Sequence, residues 1–108
     1  MISLAARLAA LIVGLAITPA SGDEARLDLG RKVFLEISEP RCGLCHTLAD
    51  AGTTGKVGPS LDDMKPDAAR VKTAIVNGIG PMPANETLRE EQVDAVALYV
   101  SAVAGKTR

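Results

Sequence analysis

Cys42 and Cys45 are the chain's two cysteines and His46 is its single histidine, and all three fall in one run, Cys42-Gly43-Leu44-Cys45-His46. Two thiols one helical turn apart can add to the two vinyl edges of one porphyrin as thioethers. The imidazole that follows then points at the iron. The spacing is that of a covalent attachment site for a c-type haem. Other chemistries are served less well. A Cys42–Cys45 disulfide would close a very small loop and constrain little of the unfolded chain. A structural zinc wants four ligands where the run offers three. A thioredoxin-like dithiol belongs beside a βαβ pattern, and the surrounding sequence contains none.

A haem iron held by His46 has a sixth position. With one histidine in the chain, bis-histidine ligation within it is impossible. That leaves methionine, another weak donor or an open site, and Met1 lies in a segment that reads as removable. Met64 precedes a second helix, and Met82 sits in Gly80-Pro81-Met82-Pro83. Prolines on both sides stiffen the backbone of that loop, so Met82 is the favoured axial ligand. Met64 is its competitor, and gap-filling is the plain alternative role for a methionine. A His/Met pair raises the reduction potential and leaves the iron closed to oxygen or peroxide.

The elements that must position these groups follow from the rest of the chain. Arg7, the apolar run Leu8 to Ile17 and the small residues from Thr18 to Gly22 have the layout of a secretory signal peptide. The run is about half of the roughly 20 residues a spanning helix needs, so no stable membrane anchor is expected. Residues 1–22 are taken as leader and 23–108 as the functional domain, which places it in the periplasm. About 85 residues make a small core, one for which side chains alone are marginal. One Phe, one Tyr and no Trp leave that core short of large fillers, and a haem would supply the missing apolar body. The net charge of −1 and the lack of a basic stripe argue against nucleic acid as a partner.

A first helix is expected from about Glu24 to Ser38, with Leu27, Val33, Phe34 and Ile37 inward and Pro40 as its stop. The Cys42–His46 run follows as a short helical turn. Leu48 to Lys65, rich in Gly and Thr, reads as loop. Pro66 suits the first position of a second helix that Asn77-Gly78 ends. Thr87 and Glu90 read as a capping box for a last helix carrying Leu88, Val93, Val96, Ala97, Val100 and Val103 inward, with Gly105 after it. Asp62-Asp63 and Glu90-Glu91 are candidates for steering a basic partner or for plain solvated surface. Lys56 and Arg70 are candidate partners for a haem propionate. No segment shows sustained strand alternation, so the domain is expected to be all-α with long loops.

On these residues the chain resembles the class I cytochrome c family over roughly Leu29 to Val103. Cys42, Cys45 and His46 match its haem motif, and Met82 matches its distal methionine loop. Gly30 and Phe34 match its first helix, and Leu98-Tyr99 match the last helix that crosses it. Gly58-Pro59 matches its Gly-Pro turn, and the resemblance implies that the Pro59 carbonyl orients His46. It also implies a fold of about three main helices, with long loops round one covalent haem. Within class I the domain resembles the small monohaem subunit of bacterial periplasmic sulfite dehydrogenase. That likeness implies a heterodimer with a molybdenum-cofactor subunit that oxidises sulfite, and an external cytochrome c as acceptor. In that setting this chain relays single electrons and has no catalytic residues of its own. A freely diffusing electron carrier is the alternative, and a peroxidase or gas sensor would need a distal acid–base group for which no spare histidine exists.

Overall fold

The computed structural model describes residues 22–106 together with Gly14. The expected signal peptide therefore lies, but for Gly14 and Gly22, outside the described residues. Helix α1 (Gly22–Lys32) runs into a wider π-helical turn, Val33–Ile37. The chain leaves it at Ser38, two residues before Pro40, whose ring disfavours helix in the residue before it. Helix α2 is the single turn Cys42–Cys45. Helix α4 (Ala68–Asn77) ends at Gly78, which has a positive φ of 71°. Helix α5 (Glu90–Val103) completes the main set. Among the described residues, no helix is long and apolar enough to cross a membrane.

Three local expectations are corrected. The segment 48–65 is not plain loop. Strands β1 (Thr47–Leu48) and β2 (Thr53–Thr54) pair antiparallel, with Thr47 opposite Thr54, and a short helix α3 (Leu61–Met64) follows a Ser60 cap. Second, α4 starts at Ala68 and not at Pro66. The Asp67 carboxylate accepts the Arg70 N–H at 2.8 Å and so caps the helix, while Pro66 is buried just outside it. Third, Thr87 and Glu90 form no capping box. The Asn85 side-chain oxygen takes the N–H groups of Thr87 and Leu88, each at 3.0 Å, which holds those residues in a turn. The helix begins later, where the Gln92 side chain accepts the Arg89 N–H at 2.9 Å.

The core lies where α1 and its π turn cross α5, with α4 also packed against α5. Val33, Phe34, Leu48, Val96 and Val100 are its largest fully buried side chains. The crossing depends on Gly30. A Cβ there would come within 2.2 Å of the Ala95 carbonyl oxygen and 2.5 Å of the Tyr99 Cβ, so only glycine lets the two backbones approach this closely. That contact explains a mid-helix glycine that would otherwise weaken α1 by about 1 kcal/mol relative to alanine. One turn on, the two aromatics meet edge-to-face with centroids 6.2 Å apart and planes at 64°. This is the geometry that aligns a positive ring edge with a negative face.

Candidate functional site

The attachment run is one helical turn because its backbone closes on itself. The Leu44 N–H donates to the Arg41 carbonyl and the His46 N–H to the Cys42 carbonyl, at 3.1 and 3.0 Å. The turn presents Cys42 and Cys45 from one face as free, half-buried thiols. Burial pushes the Cys42 thiol up from its ordinary value, against a smaller opposing effect from the Ser38 hydroxyl beside it. Cys42 packs against the core, as do the half-buried Leu61, Val71, Met82 and Leu88.

His46 is held by the segment that returns past it. Its Nδ1 lies 2.7 Å from the Pro59 carbonyl oxygen. A carbonyl only accepts, so Nδ1 is the donor, and Nε2 is the ring nitrogen left to act as a ligand. The Gly58 N–H donates to the Cys45 carbonyl at 2.7 Å. A Cβ on Gly58 would stand 2.6 Å from His46 Cε1, so glycine is required for the turn to press against the ring. Two free thiols on one turn and an imidazole whose Nε2 is left to ligate suit a covalently held porphyrin, and the half-buried apolar residues packed on the core offer it apolar surroundings.

Met82 stands on a tight hairpin. The Ile79 N–H donates to the Met82 carbonyl at 3.0 Å, and the Met82 N–H donates back at 2.9 Å. The prolines noted in the sequence are therefore only part of what stiffens this loop. Met64, the competing methionine, ends α3 and is half-buried there. Behind Met82, Asn85 anchors the loop. Its N–H donates to the Ile75 carbonyl at 2.7 Å, and its side-chain amide donates to the Ser38 hydroxyl at 3.2 Å. The buried Ser38 hydroxyl donates in turn to the Pro40 carbonyl, so the distal loop is linked to the residues leading into the attachment run.

Three contributors escaped the sequence reading. Thr53 donates its hydroxyl to the His46 carbonyl at 2.9 Å and accepts the Leu48 N–H at 3.1 Å. It stood in a Gly-Thr-Thr-Gly stretch that signals only turn. Asn85 lay just past the proline loop, where an Asn before Thr and Leu is a recognisable turn former. Asp62 was weighed as a surface charge, whereas its two oxygens accept the N–H groups of Ala49 and Gly105, each at 2.8 Å. Asp63, Lys56 and Arg70 are exposed, as the solvated reading has it.

The sequence profile described as cytochrome c oxidase, cbb3-type, subunit III matches residues 25–100. None of the curated protein sequences matches the chain. Among solved structures, the c-type cytochrome SorU from Sinorhizobium meliloti is similar at 67% identity and a TM-score of 0.78. The match covers 79% of this chain and 98% of that one. A thiol pair and an imidazole built to take haem, inside a domain matched over most of its length, lead to one conclusion: the chain belongs to the c-type cytochromes, with the class I fold, a covalently bound haem c and single-electron transfer as its work.

Proposed function

We propose that this cytochrome is the periplasmic haem subunit of a sulfite dehydrogenase, with His46 and Met82 as the two axial ligands of its iron. It would receive electrons from a molybdenum-cofactor subunit and pass them to an external cytochrome c. The observation that carries the reading is the likeness to SorU along 98% of that chain. A domain of that extent holds a haem site and little else, which suits a relay whose substrate chemistry sits on another chain. The resemblance to the small monohaem subunit of sulfite dehydrogenase supplies the partner class.

Bound haem supplies a one-electron iron couple. The chain's own residues do the rest. Cys42 and Cys45 would hold the porphyrin as thioethers, so that the cofactor cannot dissociate. The Pro59 carbonyl accepts a hydrogen bond from the His46 Nδ1–H, which aims Nε2 and raises its basicity as a donor. The Ile79–Met82 hairpin presents a neutral sulfur, a donor that favours reduced iron and raises the potential. With His46 and Met82 both holding the iron, oxygen would be kept from it, and the chain would exchange electrons without transforming a substrate.

Affinity isolation of the native protein from periplasm, with metal analysis of what accompanies it, tests the assignment. A stoichiometric molybdenum-containing partner that reduces this cytochrome on addition of sulfite is expected. Recovery of the cytochrome as a lone monomer would contradict the subunit reading and favour a free carrier.

A further inference from the structure

We propose that Asp62 is a positioning residue for the proximal ligand. Its carboxylate holds the Pro59 carbonyl in register against the His46 ring and ties both to the end of α5. The proposal rests on the reading of His46 as an iron ligand and concerns what keeps that ligand in place.

The His46–Pro59 contact spans 13 residues of sequence, and so does the bond from the Ala49 N–H to Asp62 Oδ2 at 2.8 Å. Ala49 follows His46 by the same three positions by which Asp62 follows Pro59. The segments leaving His46 and Pro59 therefore run side by side, tied once through the imidazole and once through the carboxylate. The second oxygen, Oδ1, accepts the Gly105 N–H at 2.8 Å, a residue 43 positions away just beyond α5. One half-buried carboxylate thus joins three stretches of chain.

Pro59 needs such help. It is exposed and has no N–H of its own with which to anchor itself. Its position is set from either side. Before it, the Gly58 N–H is bound to the Cys45 carbonyl. After it, Ser60 accepts the Asp63 N–H at 3.3 Å, and α3 makes a stiff link from Pro59 to Asp62. A shift of Asp62 is therefore carried back to the carbonyl on His46. Backbone N–H groups bound to an ionised carboxylate are charge-assisted and roughly twice as strong as neutral bonds, which suits a tether.

Hydrogen exchange in the reduced, haem-bearing full-length protein tests the idea. The readout is the His46 Nδ1 proton, compared with the Val96 and Val100 amides in the core of α5, which report global opening. In Asp62→Ala the Nδ1 proton is expected to gain at least about tenfold more in exchange rate than those amides gain, the size of one net hydrogen bond released locally. Asp62→Asn keeps one acceptor oxygen and folds with less disturbance, and a smaller differential in the same direction is expected of it. The reduction potential should rise in the same order, because a less firmly held imidazole is a poorer donor to oxidised iron. Equal acceleration of the Nδ1 proton and the core amides would overturn the proposal and leave Asp62 a general stabiliser. An unchanged Nδ1 rate would overturn it as well. Failure of the ligand reading shows separately, as a wild-type spectrum without a His-ligated low-spin iron, and the exchange comparison stands either way.

Discussion

The two sides of the candidate haem site are secured in different ways. On the His46 side, the turn and the segment returning past it are tied at short intervals. Thr53 binds the His46 carbonyl, the Thr47 hydroxyl donates to the Gly55 carbonyl, Gly58 binds Cys45 and Pro59 binds the imidazole. On the Met82 side, one pair of backbone bonds closes the hairpin and Asn85 anchors its far end. Local opening is easiest where few bonds hold a segment to remote chain. The proximal side is thus built to be permanent and the distal side to be the one that yields.

The largest effects are expected from removing the proposed ligand on each side. His46→Ala is expected to abolish recovery of low-spin haem protein, checked by the absorption spectrum of purified material. Met82→Ala is expected to leave haem attached while opening the iron, so that carbon monoxide affinity of the reduced protein rises at least about tenfold, equivalent to 1.4 kcal/mol of lost closure. Equal loss of haem from both variants would break the contrast between the two sides.

Next in size is Gly58→Ala. The added Cβ would meet the His46 ring at 2.6 Å, between two segments already tied together. A loss of about 1–3 kcal/mol in denaturant unfolding is expected from overpacking. A neutral result would mean that the proximal segment is softer than its bonds imply.

Asn85→Ala sharpens the distal half. It leaves the N–H groups of Thr87 and Leu88 and the Ser38 hydroxyl without this partner, and about 1–2 kcal/mol of stability should be lost. Carbon monoxide binding to the reduced variant should be faster than to the wild type, because the Met82 loop loses its far anchor. Lost stability with unchanged binding would show that the hairpin alone holds Met82.

The smallest effect is expected away from both sides, at the exposed Lys72–Asp94 pair between α4 and α5, 2.8 Å apart. The bond to Asp94 raises the Lys72 pKa above its ordinary 10.5, with the Asp94 charge adding to it. A raised lysine contributes stability below its unfolded value and loses it as pH rises through the folded one. Lys72→Met should therefore melt slightly below wild type at neutral pH, with the gap closing above about pH 10.5. A gap that widens with pH would show that the lysine acts otherwise.

The parts of this molecule legible in its sequence are those whose signals are local. Cys42 to His46 declares itself by residue type and spacing alone. Phe34 and Tyr99 are the one Phe and the one Tyr of this chain, and the structure puts them with Gly30 at one crossing. The segment from Leu48 to Lys65 was opaque for a physical reason. Its order comes from hydroxyl and carboxylate bonds between positions far apart in sequence, through Thr53 and Asp62, and periodicity does not register such bonds. The start of α5 is hidden because Asn85, outside the helix, takes the Thr87 N–H that the Glu90 side chain of a capping box would need. Side-chain bonds to backbone decide both cases, and they belong to residues that composition marks only as polar.

The central claim is a closed iron between His46 and Met82. Carbon monoxide added to the reduced protein at neutral pH tests it most directly, with Met82→Ala as the open reference. A low-spin absorption spectrum that the gas leaves unchanged in wild type and alters in the variant is expected. Rapid conversion of the wild-type spectrum would contradict it.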